Sequence, residues 1–143
     1  MIVQDVLAGK GRSVVTISPN ASISELVDAL AEHGIGALVV STNGSRIDGI
    51  VSERDIARAM HKHGAAVLHM HVSEMMTSDV QTCRPGDRIS DIARIMTERR
   101  FRHLPVVDGD ALVGIVSIGD VVKKRIDELE TESGHLMDYL TSP

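Results

Sequence analysis

The sequence predicts an α/β (α+β) fold: two pseudo-twofold-related β-α-β-β-α units packed sheet to sheet. Three observations lead there. First, the chain repeats. Sliding it by 66 residues lays Val14 on Val80, Thr16 on Thr82, Pro19 on Pro85, Leu38 on Leu104 and Val40 on Val106. At an offset of 65, Gly49-Ile50-Val51-Ser52 falls on Gly114-Ile115-Val116-Ser117, and Asp55 on Asp120. The residue lost between the two offsets lies in the Ser41–Asp48 stretch, where Thr42-Asn43-Gly44-Ser45 reads as a hairpin turn and Asp108-Gly109-Asp110 as a tighter one. Second, each copy carries an amphipathic helical stripe. Third, each stripe is followed by two short apolar runs joined by that turn. A unit of about 60 residues cannot hide a sheet face and two helical stripes alone, so the two sheets are expected to cover one another.

Each copy opens with a short extended piece, Val14–Ile17 or Val80–Cys83, ending near a proline that disfavours helix just before it. A helix follows. Ser22 with Glu25 three residues on is a capping-box pattern, and Ile23, Leu26, Val27 and Leu30 form one face. Ile89, Ile92, Ala93 and Met96 repeat that face, and Gly34 is placed to end the first helix. The strand pairs are Ala37–Val40 with Ile47–Val51, and Leu104–Val107 with Ala111–Val116. A second helix opens at Ser52 or Ser117. Residues 61–73 link the copies, and residues 121–140 read as one long helix with Val122, Ile126, Leu129, Leu136 and Leu140 near heptad spacing. The expected domains are residues 5–64, 72–128 and a helical extension at 129–143.

Composition narrows the function. The 143 residues are 43% hydrophobic with a formal charge of −5, which argues against nucleic-acid or anionic-membrane binding. The single cysteine rules out an internal disulfide framework and points to a cytoplasmic home. The start lacks the pattern of a signal peptide, and the longest apolar runs span only a few residues, so no transmembrane helix is expected. Phe101 and Tyr139 are the only aromatics, too few for a base-stacking platform. No nucleophile, base and orienting group stand in a recognisable pattern, and Gly9-Lys10-Gly11 lacks Walker spacing, so the chain does not read as an enzyme.

The Ser-x-x-Asp pairs, Ser52 with Asp55 and Ser117 with Asp120, have two readings. As capping boxes they each stabilise a helix by about 1 kcal/mol. As ligand groups they stand where a strand feeds a helix N-terminus, whose free N–H groups and dipole suit phosphate while a fixed carboxylate accepts both hydroxyls of a ribose. The two readings are compatible.

The stretches Gly49-Ile50-Val51-Ser52-Glu53-Arg54-Asp55-Ile56, Gly114-Ile115-Val116-Ser117-Ile118-Gly119-Asp120-Val121 and His103-Leu104-Pro105-Val106-Val107-Asp108 resemble the tandem cystathionine-β-synthase (CBS) domain pair, or Bateman module. The resemblance runs from about residue 5 to 125, and the chain looks like a stand-alone bacterial pair. It implies a non-catalytic regulatory module that binds AMP, ADP, ATP or NAD(H), AMP foremost, in clefts that draw on both copies. S-adenosylmethionine is the alternative ligand within that class. It also implies a homodimer, and a protein target that the sequence does not name. One cleft would take Ile50, Ser52, Arg54 and Asp55, with Phe101, Arg102, His103, Ser73 and Ser78. The other would take Ile115, Ser117 and Asp120, with Ile35, Gly36, Gln4, Lys10 and Arg12. At matched positions the second has Gly119 for Arg54, and Gly36 and Ala37 for Arg102 and His103. The Asp55 cleft is therefore expected to be the better phosphate site. With so few aromatics, adenine recognition falls to backbone groups and aliphatic walls, although Ile35, Ile50, Ile115 and Phe101 each also read as core. Arg99 and Arg100 read as a solvated helix end.

Two other functions compete. The clefts can be empty, and the module a scaffold for oligomerisation. Or His61-Lys62-His63 and His69-Met70-His71, four of seven histidines within 11 residues, can bind zinc, copper or nickel, although no carboxylate or cysteine lies among them.

Overall fold

The computed structural model describes residues 1–11 and 14–142. Arg12, one of the residues the resemblance assigns to a cleft, lies outside them. The elements run α1 (Val3–Lys10), β1 (Thr16–Ile17), α2 (Ile23–His33), β2 (Ala37–Val40), β3 (Gly49–Ser52) and α3 (Glu53–His63). Two short 3₁₀ helices follow, Gly64–His69 and Val72–Glu74, and then α4 (Ile89–Arg99), β4 (His103–Asp108), β5 (Ala111–Ser117) and α5 (Ile118–Thr141). Mixed α/β structure with two small sheets and a repeated order of elements is what the sequence predicts.

The chain forms two compact units, and they are not continuous stretches of sequence. Among the described residues, one gathers residues 14–81 with Gly109–Leu112; the other gathers residues 1–11 with α1, Thr82–Asp108 and the chain from Val113 onward.

In the first unit β2 is the central strand. It pairs in parallel with β1, Thr16 opposite Val39, and antiparallel with β3, Ala37 opposite Ser52 and Val40 opposite Gly49. All four residues of β2 are buried, as expected of a strand covered on both faces. The core joins Ile23, Leu26 and Leu30 of α2 to Leu38, Val40 and Val51 of the sheet. Val67 and Val72 complete it, so residues 64–76 are packed structure and not a bare link. Val27 is 40% exposed, because the buried stripe of α2 is narrower than the apolar pattern suggests. Ser22 accepts from the Glu25 amide at 3.1 Å and Glu25 accepts from the Ser22 amide at 2.8 Å, the capping box that starts α2. Gly34 ends it at φ +61, a left-handed conformation that suits a residue without Cβ.

The second unit repeats the plan with a reduced first strand. Cys83 makes one parallel bridge to Val106, its amide donating to the Pro105 carbonyl at 3.0 Å and its carbonyl accepting from Val107 at 2.9 Å. The core joins Ile89, Ile92 and Met96 of α4 to Leu104, Val106 and Val116 of the sheet and Val121 of α5. The N-terminal helix α1 enters this core. Its Val3, Val6 and Leu7 are buried there, and the Val3 and Gln4 amides donate to the Asp87 and Pro85 carbonyls, each at 2.9 Å. Leu7 packs so closely on Gly114 that a Cβ at that position would lie 2.5 Å from its Cδ2. Helix α5 has no break at residue 129 and continues to Thr141. Arg100, the offset-66 counterpart of Gly34, takes the same left-handed conformation, at φ +57.

Candidate functional site

Each unit contains one strand-to-helix junction with a Ser-x-x-Asp pair at the helix start. In the first, β3 runs into α3 at Ser52. The Ser52 amide donates to Asp55 Oδ2 at 2.8 Å and its hydroxyl donates to the same oxygen at 3.1 Å. The following Glu53 amide donates to the Gly36 carbonyl at 3.0 Å. Ile50 exchanges two backbone hydrogen bonds with Thr77, both 2.9 Å. Gly49 is held against the same segment, where a Cβ would come within 2.8 Å of both the Met76 Sδ and the Thr77 carbonyl.

In the second, β5 runs into α5 at Ser117. The Ser117 amide donates to Asp120 Oδ2 at 2.9 Å, and the Asp120 amide donates to the Ser117 hydroxyl at 3.1 Å. The Ile118 amide donates to the Arg102 carbonyl at 2.8 Å, repeating the Glu53–Gly36 bond. Here a cation is added. Lys10, the last residue of α1, donates to Asp120 Oδ2 at 2.7 Å and to the Ile115 carbonyl at 3.1 Å. Partial burial tends to raise the Asp120 pKa. The Lys10 hydrogen bond and charge and the Ser117 bonds outweigh it, so the carboxyl titrates below its ordinary range.

In both junctions the bonds that anchor the carboxylate converge on one oxygen, Oδ2. A carboxylate held in this way keeps acceptor capacity on the other oxygen for a hydroxyl-bearing ligand.

The sequence profile of the CBS domain matches residues 3–62 and 72–127. The chain belongs to the CBS-domain family. It is similar to a CBS-domain protein of Agrobacterium tumefaciens, with 45% identity, a TM-score of 0.84, and coverage of 87% of this chain and 99% of that one. It is also similar to the CBS domain pair of protein MJ0100, solved in complex with 5′-methylthioadenosine and S-adenosyl-L-methionine. There the identity is 26%, the TM-score 0.79, and the coverage 90% of this chain and 98% of that one. Among curated proteins, the mitochondrial CBS domain-containing protein CBSX3 of Arabidopsis thaliana is 30% identical, across 96% of this chain and 71% of its own length.

The remaining residues singled out in the CBS pair fall into place by unit. Ile50, Ser52, Arg54 and Asp55 stand at the α3 junction, with Ile50 and Asp55 half-buried and Arg54 exposed. Ser73 and Ser78, assigned from sequence to the second copy, sit in the segment that packs on the first. The Ser73 amide donates to the Pro19 carbonyl at 3.0 Å, and Val72 beside it is in the first core. Ile35 and Gly36 also belong to the first unit, between α2 and β2. Gln4 and Lys10 belong to the second unit through α1, with Ile115, Ser117 and Asp120. Phe101, Arg102 and His103 stand at the head of β4 in that unit. Phe101 packs against its core and Arg102 is exposed.

The histidine cluster does not assemble. Among the described residues no three His, Cys, Asp or Glu side chains are placed to hold a metal ion. The local geometry explains this: His61 and His63 are two apart on the last turn of α3, so they do not face one another. His71 Nδ1 lies 3.0 Å from the Asn20 carbonyl, while its amide donates to Glu74 at 2.7 Å. The metal-responsive reading therefore has no geometric support. Cys83 is buried, and desolvation, helped by Asp87, pushes its thiol up to about 12, the opposite of an activated thiolate. No described helix is long and apolar enough to cross a membrane.

Proposed function

We propose that this CBS pair is a non-catalytic sensor of adenosine-containing nucleotides, AMP foremost, with ADP, ATP and NAD(H) in the same class. The observation that carries the reading is the repeated junction. Asp55 and Asp120 are each anchored through one carboxylate oxygen at a helix N-terminus, where a second oxygen can accept a ribose diol and the helix amides favour phosphate. The adenosine ligands in the MJ0100 complex support the class and leave the nucleotide open. Ser52 and Ser117 then serve twice, capping the helix and fixing the carboxylate.

The long α5 supports a homodimer. Ile118, Val122, Ile126 and Leu129 are each 38–50% exposed along one side of it, followed by Leu136 and Leu140 at 59% and 66%. Such an unpartnered stripe on a soluble helix fits a partner helix. Ligand binding would then alter the surface that a target protein reads, by favouring the conformation that holds the ligand better.

The test is a thermal-shift panel with AMP, ADP, ATP, NAD, NADH and S-adenosylmethionine on wild type, Asp55→Asn and Asp120→Asn. A ligand at 100 times its Kd adds about 2.7 kcal/mol, a rise of roughly 5–10 °C for a chain of this size. A rise with one nucleotide, lost in one or both variants, establishes the sensor and names its signal. A flat panel on folded protein refutes it and favours the scaffold reading, in which the Ser-x-x-Asp pairs only cap helices.

A further inference from the structure

We propose that Lys10 sets the ligand charge accepted by the Asp120 site, favouring phosphorylated adenosine ligands over uncharged or cationic ones. The inference rests on the nucleotide reading above and adds a selection rule to it.

Three facts carry it. The backbone of Lys10 is fixed, because α1 is pinned by buried Val3, Val6 and Leu7 and by backbone bonds to Pro85 and Asp87. Its ammonium is not: the side chain is 38% exposed, on a flexible four-carbon stem. And that ammonium occupies Asp120 Oδ2 and the Ile115 carbonyl, two acceptors at the junction that a nucleoside would use.

A ribose diol can reach Asp120 Oδ1, but one that grips both carboxylate oxygens must compete with the lysine already on Oδ2. An uncharged nucleoside offers the ammonium nothing in return, so the lysine stays or is desolvated without a partner. A phosphate does offer a replacement. The ammonium swings from carboxylate to phosphate, the carboxylate takes the diol, and each charge keeps an opposite partner. A sulfonium ligand brings a second cation beside Lys10 and is disfavoured most.

The first repeat is a built-in contrast. Sixty-six residues on from Lys10 stands Met76, whose thioether packs over Gly49, and the second donor to Asp55 Oδ2 is the uncharged Ser52 hydroxyl. In the second junction Leu7 packs over Gly114 as Met76 does over Gly49, so Lys10→Met removes the charge while keeping an unbranched apolar stem.

The experiment uses the full chain with Asp55→Asn to silence the first site. Calorimetric Kd values for AMP and for 5′-methylthioadenosine are compared in that background, with Lys10 intact, Lys10→Met and Lys10→Arg, and with Asp120→Asn added. Lys10→Met should weaken AMP and spare or strengthen 5′-methylthioadenosine, shifting the ratio of the two Kd values about ten- to hundredfold, as expected for a charge-assisted bond. Lys10→Arg should keep the original preference. A parallel loss of both ligands, with the ratio within about twofold, overturns the selector and makes Lys10 a tie between α1 and α5. If Asp120→Asn leaves AMP binding unchanged, or no adenosine ligand binds at all, the nucleotide reading of this site has failed first. Circular dichroism melts on every variant separate these outcomes from loss of folding.

Discussion

Replacing Gly49 with alanine tests whether the first junction depends on the close approach of residues 76 and 77. An added Cβ would lie 2.8 Å from the Thr77 carbonyl, about 0.6 Å short of ordinary contact, and equally close to Met76 Sδ. The thioether can rotate away, but the carbonyl cannot move freely. Thr77 is tied to Ile50 by two backbone bonds of 2.9 Å, and moving it by that distance stretches both to the limit of hydrogen-bond geometry. Two such bonds are worth about 1 kcal/mol net each, and the smaller entropy of the unfolded alanine chain returns about 0.5–1 kcal/mol. The expected cost is about 1–1.5 kcal/mol, read as a lower urea midpoint at unchanged slope by far-UV circular dichroism. Gly114 supplies the control. The three atoms nearest its added Cβ all belong to the Leu7 side chain, the first at 2.5 Å. In a Leu7→Ala background Gly114→Ala should therefore cost nothing, while in a Met76→Ala background Gly49→Ala should still destabilise. Equal rescue at the two positions, or a Gly49→Ala protein within about 0.5 kcal/mol of wild type, would refute the reasoning.

Arg100 ends α4 with φ +57, where a Cβ costs about 1–2 kcal/mol and glycine's extra unfolded-state freedom takes back part of that. Arg100→Gly should raise stability by about 0.5–1 kcal/mol, seen in the same urea titrations; a loss would contradict the strain. Cys83, its thiol pushed up to about 12 by burial, should resist a disulfide reagent at pH 8 until the unit opens, so labelling faster than hydrogen exchange of the surrounding core would count against its burial. The Asp120 pKa is lowered in the fold, so the stability it contributes is present above the unfolded carboxyl value near 4 and is lost as pH falls through the lowered one. The stability gap between wild type and Lys10→Met should accordingly close towards the acid end, and a gap constant from pH 7 to pH 2 would show that the ion pair is not its source. Removing residues 126–143 takes away Ile126, Leu129, Leu136 and Leu140 and should convert a dimer to monomer by light scattering; an unchanged mass would place the interface elsewhere.

The repeat made most of the architecture legible, because each strand pair, turn and capped helix is written twice and the copies check each other. The Ser-x-x-Asp pairs were legible for the same reason, as a local pattern whose geometry is set within four residues. What escaped was structure fixed by distant packing. Helix α1 carries Val3, Val6 and Leu7 at i, i+3 and i+4, a signal too short to stand out, and only the core of the second unit makes it a helix. Residues 61–73 read as a link between the copies, yet Val67 and Val72 are buried in one core with Ile23, Leu26 and Leu30 of α2. Periodicity also overstated the buried face of α2, since Val27 lies on the flank of the stripe and stays exposed.

The first two of these differences bear on the sites themselves. Counting cations only at matched positions leaves the second junction poor in charge, with Gly119 opposite Arg54. Helix α1 changes that count, because Lys10 reaches Asp120 from outside the repeated motif. Segment 72–78 plays the corresponding part in the first unit but brings Met76 and a backbone bridge, and the cation there is Arg54, one residue before Asp55 on α3 itself. The basic group thus arrives by different routes. Arg54 is exposed on the first turn of a helix, beside a carboxylate held by serine. Lys10 sits on Asp120 Oδ2, the oxygen that a diol gripping both carboxylate oxygens would also need. The two copies of the motif thus differ in what holds the aspartate: Lys10 of α1, a segment from the far end of the sequence, at Asp120, and Ser52 of the motif itself at Asp55.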